Sequence, residues 1–249
     1  MAENHRPADG ICLALRDLTL GYAGRPVIHA ATADIAAGAL VAIVGANGCG
    51  KSTLMKGMAG VLRPLGGACL RQPDCRVAYL PQQSELDRSF PARVVDLVAQ
   101  GLWPRRGLLG RHRPQDRAAV GRALEAVGLS AQAASLIDTL SGGQLQRALF
   151  ARAIVQDAGL ILLDEPFNAV DRQTMGDMLA LIARWHAEGR TVVMVSHGAE
   201  VASDFQQVLA LVQRADAGGS RTQLAPVRRG EPAPRAPHRD VEAVGAAAC

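Results

Sequence analysis

The stretch Gly45-Ala-Asn-Gly-Cys-Gly-Lys-Ser-Thr53 constrains this chain more than any other. From Gly45 to Ser52 it fits the pattern G-x-x-x-x-G-K-[ST]. It lies between a short apolar run, ALVAIVG (39–45), and residues with helical spacing, Ser52, Leu54, Met55 and Met58. In a strand, glycine-rich loop and helix of this kind, backbone N–H groups turn inward around a phosphate and the helix adds its positive N-terminal end. Gly45, Asn47, Gly48, Gly50 and Thr53 then belong to a nucleotide cradle. Lys51 is expected to reach the β- and γ-phosphates and the Ser52 hydroxyl to ligate Mg²⁺.

The other apolar runs repeat the theme. ICLALRDLTL (11–20) alternates as a strand does, and RVAYLPQ (76–82) is a strand stopped by Pro81. LILLDEP (160–166) and TVVMVSH (191–197) are short and strongly apolar, with helical RQTMGDMLALIARWHAEG between them. Such strands imply a parallel sheet covered on both faces. Between these groups the period becomes helical: PARVVDLVAQGL (91–102) and PQDRAAVGRALEAVGL (114–129) each open on a proline suited to a first helical turn. The spacing predicts an α/β core over 11–214 with an inserted helical subdomain at about 88–155. Residues 215–249, rich in Ala, Pro and Arg and without periodicity, read as a flexible tail.

Composition narrows the setting. The net charge is +4 with 20% charged residues, which permits an anionic partner but does not argue for nucleic acid or membrane. No apolar run approaches the length of a spanning helix, and MAENHRPADG has no secretory core. The chain is therefore expected in the cytoplasm, with any membrane role coming through a partner. Five irregularly spaced cysteines (Cys12, Cys49, Cys69, Cys75, Cys249) read as buried free thiols. Cys49, beside phosphate and Lys51, is expected to have a lowered pKa. His238 and Cys249 are too isolated to make a metal site.

Asp164 ends an apolar strand, so it is expected at the sheet edge where the Mg²⁺ of a phosphate loop needs a second oxygen ligand. Glu165 follows it, placed to polarise an attacking water. Ser141-Gly142-Gly143-Gln144 reads as an N-cap and bare backbone ahead of a helix starting at about Gln144, a second anion site. One reading has it grip the γ-phosphate held by another copy of the chain, so that two chains sandwich two nucleotides. The other is a capped helix with a flexible entry.

Taken in order, GANGCGKST, LSGGQ, LILLDEP and the Ser-His after an apolar strand resemble an ATP-binding cassette (ABC) ATPase, over about Ile11 to Arg214. That resemblance implies a P-loop NTPase core of ABC type: a parallel sheet, an N-terminal antiparallel β portion and the inserted helical subdomain. It implies ATP and Mg²⁺ as cofactors and a homodimer with ATP at its interface. Residue by residue it assigns Tyr22 to adenine stacking and Gln82 to the magnesium and attacking water. It assigns Asp171 to the loop joining the subunits and His197 to a switch on the γ-phosphate. Ala46, Cys49 and Gly198 depart from the commoner residues of the family.

One cassette, without a coiled-coil insertion between Gln82 and Ser141, resembles a transporter subunit more than the soluble members acting in translation or repair. DRSFP (87–91), GLW (101–103) and EPFNAVD (165–171) resemble ATPases of zinc and manganese importers, and GLWPRR and FNAV are closest to the zinc-uptake members. The implied partners are a second copy, a membrane permease and, indirectly, a metal-binding solute-binding protein, at the cytoplasmic face, with no nucleic acid. Phe90 and Val94, with Arg88 or Arg93, are expected to line a groove for a permease helix, with packing inside the helical subdomain as an equal alternative for Val94. The basic residues Arg105, Arg106, Arg111, His112 and Arg113 beside Trp103 read as a solvated loop, with contact to anionic lipid as the alternative.

Overall fold

The computed structural model describes residues 7–107, 113–168, 170–196, 205, 207–216 and 219–227. Among them nine strands form one mixed sheet. They are β1 (Ile11–Tyr22), β2 (Arg25–Ala36), β3 (Leu40–Gly45), β4 (Gly66–Arg71), β5 (Val77–Leu80), β6 (Leu160–Asp164), β7 (Thr191–Val195), β8 (Gln207–Asp216) and β9 (Gly219–Val227), ordered β4-β1-β2-β9-β8-β3-β7-β6-β5. From β8 to β5 the neighbours run parallel, whereas β4, β1 and β2 pair antiparallel.

Side-chain alternation explains why the central strands read as unbroken apolar runs. In β3, β6 and β7 the residues Ala42, Ile161, Leu163, Val192 and Met194 face one hydrophobic cluster. Their neighbours Val41, Ile43, Leu160, Leu162, Val193 and Val195 face a second. A strand buried on both faces has no polar side to show. The second cluster is closed by α1 (Lys51–Ala59) and the β1–β2 hairpin. The first is closed by α2 (Val94–Ala99), α4 (Pro114–Ala126), α5 (Gly142–Gln156) and α6 (Arg172–Ala187), with the short α3 (Trp103–Arg106) beside them. Phe150 of α5 and Trp185 of α6 stack with centroids 5.7 Å apart and planes 5° from parallel.

Each helix that frames the site ends or begins for a local reason. Gly60 (φ 78) closes α1 in the left-handed region, and Val61 N–H donates to the Lys56 carbonyl at 2.9 Å. Pro114 occupies the first turn of α4, as the sequence suggests. Pro91 does not do the same for α2, which starts at Val94. Residues 92 and 93 are held extended, because the Ala92 carbonyl accepts from Ile137 N–H at 2.9 Å and Arg93 bridges to Leu136. Likewise α5 begins at Gly142, two residues before the expected start at Gln144.

The tail expectation is corrected at its front. Residues 215–216 complete β8, and Gly219–Val227 form β9, antiparallel to β8 and joined to β2 at Ile28–Thr222. A strand made by pairing with a neighbour draws its hydrogen bonds from that neighbour, and local composition does not report them. Residues 228–249 lie outside the described residues.

Candidate functional site

The Gly45–Thr53 loop runs from the C-terminal end of β3 into the N-terminus of α1. Gly48 (φ 74) and Gly50 (φ 100) lie in the left-handed region that side chains disfavour. A Cβ at Gly50 would also stand 2.8 Å from Ile28 Cδ1. The loop residues Asn47, Gly48 and Gly50 to Thr53 form one wall of a cleft of about 470 Å³, and Gln82, Glu165 and Asn168 form the other. A larger hollow of about 550 Å³ lies beside α4, α5 and α6. Three of its four arginines are spent on internal pairs, Arg105 and Arg190 with Asp157 and Arg184 with Glu188. The polar groups that converge on the phosphate loop are in the smaller cleft.

Lys51 is buried, and its Nζ donates to the Gly45 and Ala46 carbonyls at 3.1 and 2.9 Å. The ammonium is thus held at the mouth of the loop by the loop's own acceptors. Gln82 Nε2 donates to Ser52 Oγ at 3.3 Å, so those two side chains meet across the cleft. Asp164, at the end of β6, is 1% exposed, and its Oδ1 has no hydrogen-bond partner among the described residues. Its Oδ2 accepts from the Tyr79 hydroxyl at 3.4 Å. Burial pushes the Asp164 pKa up to about 6; the Ser52 hydroxyl opposes the rise, and Glu165 and Glu85 add to it. Three oxygen-bearing side chains, Ser52, Gln82 and Asp164, with one buried carboxylate oxygen unpaired, are a hard donor set that fits Mg²⁺.

Glu165 is a non-glycine residue at φ 49. That conformation turns the chain sharply after β6 and stores strain where the carboxylate enters the cleft. Asn168 Nδ2 donates to Glu165 Oε2 at 3.4 Å, a contact that sequence reasoning missed although Asn168 stood in view in EPFNAVD.

Ser141 caps α5: its Oγ accepts from Gln144 N–H at 3.2 Å, and Gln144 Oε1 accepts from Ser141 N–H at 3.0 Å. Gly142, Gly143 and Gln144 follow as the first turn, and none of the four lines the P-loop cleft of the same chain. Gln83, the neighbour of Gln82, ties the two regions together. Its Nε2 donates to the Gly142 carbonyl and to Gln146 Oε1, each at 2.8 Å. Arg88 adds a bond to the Leu140 carbonyl. Only the fold could show this, because the 59 residues from Gln83 to Gly142 separate the partners. Asp171 is the N-cap of α6, accepting from Thr174 N–H at 2.8 Å and Thr174 Oγ1 at 2.7 Å, bonds that hold its carboxyl below the usual range. Tyr22 ends β1 and is 47% exposed. His197 lies outside the described residues.

Two expectations are overturned, and the choice left open for Val94 is decided. Cys49 is buried under the loop, and its thiol is pushed up by that burial more than Lys51 pulls it down, so it is no activated thiol. Val94 is fully buried among α2, α4 and α5 and cannot line a groove, whereas Phe90 is 62% exposed. Cys69 and Cys75 are only partly buried. In the basic loop, Arg105 and Arg106 are engaged with Asp157 and Asp116; Arg111 and His112 lie outside the described residues.

A phosphate loop at the end of a parallel sheet strand, two carboxylates at the end of another and a helical insertion define a P-loop ATPase of the cassette class. Residues 28–168 match the family model for the ABC transporter, and the chain belongs to that family. Its relatives include the zinc transport system ATP-binding protein TroB of Treponema pallidum (strain Nichols), 38% identical over 86% of this chain and 83% of that protein. The manganese transport system ATP-binding protein MntB of Listeria innocua serovar 6a is also 38% identical, over 82% of this chain and 88% of its own. Among solved structures, a dimeric bacterial ABC transporter cassette, MJ0796, superposes with a TM-score of 0.70 at 24% identity, covering 80% of this chain and 93% of that one.

Proposed function

We propose that this chain is the ATP-hydrolysing subunit of an importer for a divalent transition metal, with zinc as the metal. The geometry that carries the reading is a division of parts. Phosphate loop, Gln82 and Glu165 share one cleft, while Ser141 to Gln144 stand outside it on the same chain. A second copy, placed head to tail, brings its signature turn to the nucleotide that the first copy holds. ATP then joins the two chains, and hydrolysis releases them.

In the proposed cycle Lys51 leaves the Gly45 and Ala46 carbonyls for the β- and γ-phosphates, and Tyr22 stacks on the adenine. Ser52, Gln82 and Asp164 would hold Mg²⁺, which would supply positive charge against the phosphates. Glu165 accepts the proton of the attacking water, Asn168 steadies the carboxylate, and His197 faces the γ-phosphate. Asp171 lies on the partner-facing loop. Gln83 and Arg88 transmit movement of α5 to Gln82, and exposed Phe90 and Arg93 face a permease helix on the cytoplasmic side of the membrane. A metal-binding solute-binding protein supplies the permease from the other side. No described helix is long and apolar enough to cross a membrane, consistent with attachment through that partner.

The choice of zinc rests on GLWPRR (101–106) and FNAV (167–170); the relatives named for zinc and for manganese are equally similar. Cells carrying Lys51→Ala test it. Loss of cellular zinc alone in zinc-poor medium is the expected outcome. Loss of manganese alone moves the substrate to manganese, and unchanged levels of both reject metal import.

A further inference from the structure

Cys12 and Cys75 are 63 residues apart in sequence, yet their sulfurs lie 3.7 Å apart. Cys12 sits in β1 and is 3% exposed; Cys75 is partly exposed in the turn before β5. Backbone bonds fix both sides of the contact. Gln72 N–H donates to the Cys12 carbonyl at 3.1 Å, and Cys75 N–H closes the turn on the Gln72 carbonyl at 3.2 Å. The site is at the N-terminal edge of the parallel strands, where Leu160 N–H meets the Arg76 carbonyl at 3.1 Å. Lys51 and Asp164 stand at the opposite, C-terminal edge, so neither sulfur belongs to the nucleotide cleft.

We propose that Cys12 and Cys75 form a reversible dithiol–disulfide site that reacts with small disulfides such as oxidised glutathione. The sulfurs need to close by about 2 Å to bond, a shift that a surface turn can make. A hydrogen bond from Cys75 draws the Cys12 pKa down to about 6 against the opposing effect of burial, and the same bond pushes Cys75 up. At neutral pH the pair therefore shares one proton and one negative charge. Cys75, the sulfur that solvent reaches, attacks the small disulfide as its proton passes to Cys12. The small S–S bond breaks, a mixed disulfide forms on Cys75, and one small thiolate leaves. Cys12 gives its proton to that thiolate and attacks the Cys75 sulfur, expelling the second small thiolate. Two protein sulfurs are oxidised by two electrons and one small disulfide is reduced. The cross-link closes a loop from 12 to 75 that contains the whole phosphate loop and α1 without entering the cleft.

The test uses the full purified chain, reduced and then equilibrated with oxidised glutathione, with remaining thiols alkylated and peptides mapped by mass. A Cys12–Cys75 linked peptide that dithiothreitol dissolves is expected. With it, the melting temperature should rise by about 5–15 °C and ATP turnover should stay within twofold. Cys75→Ala, at an accessible turn, should fold and lose both the cross-link and the rise. Cys12→Ser should stop at a glutathione adduct on Cys75. A stable glutathione adduct on wild-type Cys75, or a cross-link from Cys75 to another cysteine, overturns the proposal.

Discussion

Asp164 shows how one residue's burial sets the chemistry of the cleft. Its folded pKa, about 6, is above the ordinary 3.8, so between those values the native state binds more protons than the unfolded chain. Without metal, stability contributed at this residue is therefore present at low pH and lost as pH rises from about 4 to 6, by roughly 3 kcal/mol. Urea midpoints at pH 5 and pH 8 should show about half of that decline, Mg²⁺ with ATP should reverse it, and Asp164→Asn should abolish both effects. A wild-type midpoint that climbs over this range would contradict the assignment. Glu165 makes a separate prediction. Glu165→Gln should keep ATP binding and slow turnover by about 10²- to 10⁴-fold. Glu165→Gly should be equally slow yet more stable by about 1 kcal/mol, because glycine relieves the φ of 49°. Equal melting temperatures for the two variants would remove strain from the account.

At the scale of elements, the loop after β5 holds the start of α5. Gln83 supplies two hydrogen bonds to it, one of them to Gln146, which is 2% exposed. Gln83→Met keeps the bulk and removes the donor. The loss should cost about 1–3 kcal/mol, since the Gly142 carbonyl and Gln146 are left short of a partner. Hydrogen exchange should locate the loosening in the first turn of α5, with the Trp185–Phe150 contact at the other side of the helix unchanged. Uniform faster exchange across the sheet would instead mean that Gln83 supports the fold in general. α5 was readable as a helix with Ser141 as its cap, but its tie to Gln83 was not. The capping box spans three residues of one chain segment, whereas that tie depends on how 82–88 and 140–146 pack.

The whole molecule is a sheet with a separate hydrophobic cluster on each face, and the nucleotide parts lie along one of its edges. Nothing in a single copy completes that edge with Ser141 to Gln144. The expected outcome is that Glu165→Gln with Mg²⁺ and ATP sediments as a dimer, and that adding Ser141→Arg returns it to a monomer that still binds ATP. A Glu165→Gln protein that remains monomeric with ATP bound would sink the sandwich.

The sequence by itself determined what short-range chemistry encodes. It specified the Gly45–Thr53 loop, the buried strands of β3, β6 and β7, the Ser141 cap and the carboxylates that end β6. Each of these is a pattern of neighbours along the chain, set by backbone sterics and by which faces must be dry. Tertiary structure alone decided the rest. β8 and β9 exist as strands through pairing, Val94 is core because three helices meet on it, and the Cys49 thiol is raised because the loop folds over it. Likewise Cys12 meets Cys75, and Gln83 meets α5, only when distant segments are brought together. Contacts between distant segments depend on packing of the whole chain, and a local pattern does not carry that information.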